Sequence, residues 1–563
     1  MIEKIMKAVK SSNKRRGRNI TIGAVVVFLL SCTAVMGADD NYLWIKNDNG
    51  VIKFSTDNSE PALTDNPYAE NNWFESTETY INNTILSANG TGDEAYGVKL
   101  ELNSPNFRFI NNGAINGSSN SNKAYGIYVN DGKVESIENN GTINGSSNSS
   151  SAYGIYVNYV NYGRVGNIEN NGVITGNSGG SGYSIGIGIY GRGAATQIIN
   201  RGIINNKISP NDNSSTNSSG IAAGSNSEGT EKIINIGEIN SSNNGNAFTT
   251  GIHVGKKARE VINMGNIKTF DAKYSYGISS YNLGTSAKIG NLLNMGTISS
   301  FNTSNSIGIF SADNGTIEKI VNTGVIYGQD STVHIGASGT IGDINNYGIL
   351  ATDRDKIIVN NGGNMTGTEN NYGMYITKTN GQITINVDND KSNDEPIKVV
   401  VGYDKDGSEI TKYMTIRNAE LNKEKTETES FILAGKSGKY NNSILNGKDK
   451  TLNVLEGRNK ITDSIINAYQ TAVVMKEKNS SLVLNNTVVN GGAAKDKEVP
   501  TIEIEGEDNA FTLKGESIVN TGARDNVAIT VGGKDNALVL EGNAKVNGEM
   551  KSTGTNNLIS LNG

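Results

Sequence analysis

Histidine is the side chain most often used as a general base or metal ligand near neutral pH, and this chain has two, His253 and His334. Neither stands in a His-Glu-x-x-His or beside a Cys-x-x-Cys pattern, so a zinc site lacks ligands. Gly284-Thr285-Ser286-Ala287 resembles the serine region of subtilisin-like proteases, but no matching histidine and aspartate segments accompany it. The stretch Asp388 to Glu395 begins with the oxygen spacing of a calcium loop. It lacks glycine at the sixth place, and Val399 stands where the twelfth-place glutamate is needed, so it reads as a solvated acidic turn. Gly435-Lys436-Ser437-Gly438-Lys439 lacks the four residues a P-loop places before its Gly-Lys and also reads as a turn. Glu135, Glu169, Glu238 and Glu318 occur singly, so no paired carboxylates for glycoside cleavage can be placed. No catalytic residue, metal or cofactor is expected.

The elements that carry these residues are set by a phrase that returns along the chain, Asn-x-Gly-x-Ile and close variants. Its glycines are Gly113, Gly141, Gly172, Gly202, Gly237, Gly265, Gly296, Gly324 and Gly348, recurring about every 29 residues. A fixed period of that size means stacked units. A second phrase falls between the first: Tyr96-Gly97-Val98, Tyr125-Gly126-Ile127, Tyr153-Gly154-Ile155, Tyr276-Gly277-Ile278 and, at the end of the series, Tyr372-Gly373-Met374. Each repeat therefore reads as two short strands entered at glycines, with the Asn-Gly pairs as turns that exploit a positive φ. Polar inserts near 118–123, 146–151, 177–182 and 211–217 read as loops thrown out from the stack.

Short strands without helical spacing between them exclude a βαβ fold. The expected fold is all-β, a right-handed parallel β-helix; a propeller would need about 40 residues and four strands per blade. Like residues of successive rungs would stack, with Ile and Val columns inside and asparagines laddered at the turns. About 17 rungs in one rod would reach about 80 Å.

Residues 1–38 read as a secretory signal: a basic lead through Lys14-Arg15-Arg16-Gly17-Arg18, an apolar run from Ile20 to Leu30, then small residues with cleavage at Gly37 or Ala38. Leu29-Leu30-Ser31-Cys32 also matches a lipobox, in which Cys32 would carry lipid. Cys32 is the single cysteine, so no disulfide forms within the chain. Residues 39–80, holding Trp44 and Trp73, read as an N-terminal cap over exposed strand edges. Residues 81–387 carry the repeats. Residues 388–450 break the pattern and read as an insertion or as irregular rungs. Residues 451–563 read as the continued stack, through Leu452-Asn453-Val454, Leu482-Val483-Leu484, Phe511-Thr512-Leu513 and Leu538-Val539-Leu540. A net charge of −6 argues against nucleic acid as a partner.

The long basic leader, Ser11 through Ala24 followed by Phe28 through Gly37, together with the Asn-x-Gly-x-Ile repeats, resembles the fusobacterial-type autotransporters, substrates of type V secretion. That resemblance implies a β-helical passenger displayed on the outer face of the cell, an adhesin or structural surface protein for host or bacterial surface proteins or glycans. It also implies an outer-membrane β-barrel, which would be the chain's own C-terminal domain or a separate protein; the sequence closes at Gly563 in mid-repeat style, without barrel strands. A carbohydrate-active β-helix enzyme, a polysaccharide lyase or hydrolase, is the alternative.

Overall fold

The computed structural model describes residues 42–563 except 57–64, 91, 181, 191–192, 210–216, 225–228, 245–246, 283–285, 304, 389–394, 405, 420–429, 436–437, 492–498, 523–526 and 563. The signal region, with Cys32, Gly37 and Ala38, lies outside the described residues.

The chain folds as a parallel β-solenoid. Each turn of its first part carries three strands rather than two. The turn Ser184–Ile189, Ala194–Asn200, Ile203–Ile208 shows the plan: three faces, each paired in parallel with the same face of the next turn. In earlier turns the first two strands fuse into one long strand, as in Ala95–Asn111 and Ala152–Asn170, which is why the sequence spacing shows two strands per repeat. Period-2 alternation points one isoleucine per face inward. Ile155 stacks under Ile187, Ile168 under Ile198, and Ile174 under Ile204, all fully buried.

At the corner between the second and third faces a buried asparagine repeats. Asn82, Asn111, Asn139, Asn170, Asn200, Asn235, Asn263, Asn294, Asn322, Asn346 and Asn371 form one ladder. Each Nδ2 donates to the next Oδ1 at 2.7–2.8 Å. The second amide proton turns back to nearby backbone, as Asn294 does to Gly296 and Val325. A buried amide so satisfied is favourable; left unmatched it is costly.

The glycine after each ladder asparagine is required for a different reason than a positive φ. None of the nine turn glycines lies in the left-handed region. A Cβ on Gly141 would stand 1.9 Å from the Gly113 carbonyl oxygen, and one on Gly237 1.9 Å from that of Gly202. Consecutive turns approach so closely here that only glycine fits. The second-phrase glycines serve the core instead: a Cβ on Gly277 would meet Ile298 Cγ2 at 2.2 Å. Gly373 belongs with the first set, not the second, because Met374 pairs with Ile349 and a Gly373 Cβ would strike the Gly348 carbonyl at 2.1 Å.

At the N-terminal end Leu43–Asp48 pairs antiparallel with Val51–Ser55 through an Asn49-Gly50 turn, and parallel with Ala95–Asn111. Phe54 packs on Trp73 and Tyr80, and Tyr80 stacks on Phe109.

The stack does not continue in one line to the end. Residues 397–418 form an antiparallel hairpin, Ile397–Tyr403 with Glu409–Asn418, and its second strand starts a new solenoid. This second limb runs back beside the first. Its own buried ladder, Asn418, Asn446, Asn467, Asn490, Asn520 and Asn547, repeats at 2.7–2.8 Å. Here the second amide proton crosses to the first limb. Asn446 donates to the carbonyl of Tyr372, Asn467 to Tyr347, Asn490 to Thr323, Asn520 to Met295 and Asn547 to Met264, at 2.8–3.1 Å. The second limb ascends its own sequence while descending that of the first. Apolar contacts flank this seam: Ile262, Leu293 and Val321 meet Ile444, Ile465 and Val488, and Tyr469 packs among Phe301, Val325, Ile349 and Met374. The two limbs have separate cores. With eleven of the twelve strands of the third face stacked in parallel, the first limb spans about 50 Å. The folded-back molecule is therefore shorter than a single rod of all its rungs.

The second limb turns its corners differently. Asn479, Asp508, Asp535 and Asn556 all take φ of 57–58°, a left-handed conformation that Asn and Asp tolerate best after glycine.

Candidate functional site: the outer faces of the first limb

The outward positions of the first face carry an aromatic ladder. Tyr96, Tyr125 and Tyr153 occupy one column, with centroids 5.1 and 5.2 Å apart in near-parallel planes. Lys99, Tyr128 and Tyr156 occupy the next, and Lys99 lies 4.6 Å over the Trp44 ring. The rings cover one another, so Tyr125, Tyr128 and Tyr153 are buried, and burial pushes the Tyr153 phenol up to about 12. Polar groups tie the edge together: Tyr128 donates to Asn130 at 2.7 Å, Asn158 to Tyr128 at 2.6 Å, and Asn130 to Glu101 at 2.8 Å. The Tyr128 column continues through Gly188, Ala222, His253, Ser279, Phe310 and His334. Tyr190 covers the two small residues; a Cβ on Gly188 would lie 3.0 Å from its ring. This face is packed against itself.

Both histidines sit in that column, with two residues between them, and they do not converge. His253 Nδ1 lies 3.1 Å from Ser279 Oγ, its ring 4.6 Å from Tyr281. His334 contacts Phe310 and Asn361. Burial pushes His253 down to about 4, so it is neutral at pH 7. The unfolded chain takes up this proton near pH 6.5 and the native chain only near pH 4. Stability is therefore complete above pH 6.5 and falls as pH drops through that window, by up to about 3 kcal/mol. Urea midpoints measured from pH 7.5 to 4.5 are expected to drop less steeply in His253→Phe than in the parent.

The outward positions of the third face differ in chemistry along the limb. One column runs Ser87, Asn116, Asn144, Thr175, Asn205 and Asn240, all half-buried. Asn116 donates to Ser87 Oγ at 3.3 Å, Asn144 to Asn116 Oδ1 at 2.8 Å and Asn240 to Asn205 Oδ1 at 2.9 Å, and Thr175 Oγ1 donates to Asn144. Further along, the same column becomes Tyr327, Ala351 and Ile376, where the second limb lies on it. The inserts at 118–123 and 146–151 are not projecting loops. They stack in register, with Asn148 donating to Asn120 at 2.9 Å and Ser147 to the Asn122 carbonyl at 2.7 Å. Ser178 donates likewise to Ser150. Of the fourth insert, 211–216 lie outside the described residues.

The lone glutamates are matched by bases one turn away: Glu169 with Arg201 at 2.8 Å, Glu238 with Lys268 at 3.8 Å, Glu318 with Lys288 at 2.6 Å. Glu135 is exposed. Sequence reading missed Glu503, in the strand Ile502–Ile504, and Glu505, just past its end, both held by Lys476, at 3.2 and 2.8 Å. Burial raises Glu503, and the Lys476 hydrogen bond lowers Glu505. Alternation alone places them on one face, but the lysine that joins them comes from an earlier turn. Val399, at the twelfth place of the calcium-like stretch, is fully buried in the seam, and 389–394 lie outside the described residues. Of the serine phrase, Gly284 and Thr285 lie outside them too, and Ala287 opens an ordinary rung strand. Among the described residues no three His, Cys, Asp or Glu side chains gather as a metal site.

No family model, curated protein or solved structure matches the chain.

Proposed function

We propose that this protein is a surface-displayed β-solenoid adhesin, the passenger of an autotransporter-type export system, whose contact surface is the open half of the third face. One observation carries the reading. The second limb covers the third face only from about Thr297 onward, where every residue of Thr297–Phe301 is buried and the outward positions turn to Phe301, Val325, Tyr327 and Ile349, and it leaves open before them a flat run of stacked amides and hydroxyls. A regular array fixed by its own hydrogen bonds is suited to holding a partner, because little side-chain freedom is lost on contact. The leader and repeats that resemble fusobacterial-type autotransporters support export to the cell surface. The expected result is that purified 39–563 binds intact bacterial or host cells saturably, and that a Ser146→Arg variant, folded by circular dichroism, binds less. Absence of saturable binding to every cell type tried would remove the adhesive reading.

A second reading, a polysaccharide lyase or hydrolase, is favoured by the Glu503–Lys476–Glu505 cluster, where neighbouring carboxyls are pushed apart in acidity. It requires turnover of a polymeric glycan that Glu503→Gln abolishes; binding without turnover removes it.

A further inference from the structure

We infer that the open half of the third face takes an extended, uncharged polysaccharide laid along the limb axis. This rests on the adhesive reading and names the ligand class for that surface. The first argument is the contrast within one face. Where a protein surface covers it, the second limb brings Tyr469 against Phe301, Val325, Ile349 and Met374, the apolar and aromatic anchoring that protein interfaces use. The open half offers no such anchor in its central column, from Ser87 to Asn240. The second argument is charge. Along the outward positions of the strands from Ile85–Gly90 to Glu238–Asn243, Lys207 and Glu238 are the charged residues, and they are opposite in sign. A polyanion would need a basic stripe. The third is hydrogen-bond capacity. Asn144 spends one amide proton on Asn116 and accepts from Thr175, which leaves a second proton and a lone pair. Such groups recur once per turn, at about 4.8 Å. Polymer hydroxyls, each both donor and acceptor, match a surface that offers both at every step; a ligand with few polar groups would leave these unmatched.

The test immobilises 39–563 and measures binding to size-fractionated dextran, mannan and β-glucan, as neutral chains, against polygalacturonate and hyaluronan. The expected result is binding of at least one neutral polymer, with affinity rising with chain length, and at least a tenfold loss in Asn144→Ala/Thr175→Ala. Glu135→Ala, on the second face, should bind as the parent does. Because the double variant removes ladder bonds, Ser146→Arg supplies a second, additive-type change on the same face, and each melting curve is compared with the parent. Binding of the acidic polymers alone overturns the inference, as does neutral binding that both face variants leave intact. Cell binding without any polysaccharide binding overturns the ligand class while the adhesive reading stands; no cell binding removes both. Concentration-dependent self-association lost in Ser146→Arg would assign the face to a second copy instead.

Discussion

Gly237→Val is expected to abolish the folded first limb. The new Cβ would stand 1.9 Å from the Gly202 carbonyl oxygen, and that oxygen belongs to a turn stacked between two others. Neither backbone can withdraw without breaking the ladder bond between Asn200 and Asn235 at 2.8 Å and the parallel pairing of Ile203–Ile208 with Glu238–Asn243. The combined loss exceeds about 4 kcal/mol, at the severe end for a single substitution. Gly362→Ala is the fitting comparison. Gly362 has φ of +82°, with open space where a Cβ would go, so its cost is conformational, about 1–2 kcal/mol. Soluble yield and guanidinium midpoints would rank the two; a Gly237→Val protein as stable as Gly362→Ala would disprove the close-approach explanation.

The second large effect is expected at the seam. Ile465 and Val488 are buried between the limbs in a cluster distinct from either limb's core. Ile465→Asp/Val488→Asp would place two carboxylates there without a base to meet them, at a cost of several kcal/mol. Both limbs should keep their strands while separating about the hairpin at 397–418. Solution scattering would then show a larger maximum dimension with an unchanged far-ultraviolet spectrum. Unchanged scattering would mean that the five asparagine-to-carbonyl bonds hold the limbs together without the apolar contacts.

What the sequence displays is set by periodicity. Parallel stacking, the isoleucine columns and the asparagine ladder all recur with the turn length, and each is visible as a repeated phrase. The features that hide are relations between repeats. Gly113 and its successors look like positive-φ turn residues, yet the carbonyl that excludes a Cβ belongs to another turn. Fusion of two faces into Ala95–Asn111 conceals a third strand. The fold-back leaves a fainter mark. The residue after the ladder asparagine is polar in the open turns of Asn111, Asn139, Asn170 and Asn200, where it is Asn112, Asn140, Asn171 and Arg201, whereas beside the seam it is Met264, Met295, Tyr347 or Tyr372. The corner residues Asp508, Asp535 and Asn556 carry another such mark, since a left-handed corner at each turn distinguishes the second limb's coil from the first. The neutral column from Ser87 to Asn240 was partly visible, because its outer neighbours fall in the polar inserts. Its boundary was not, since that is drawn by the second limb.

The seam also orders the folding process in time. Bonds within a ladder of the first limb join residues 24–35 apart in sequence. Those across the seam join residues 74, 120, 167, 225 and 283 apart, from the hairpin outward. Each additional contact therefore closes a longer loop than the last, unless its predecessor is already made. Docking should proceed as a zipper from residue 372 toward residue 264, and the molecule's high contact order should be felt mainly by the step that starts it.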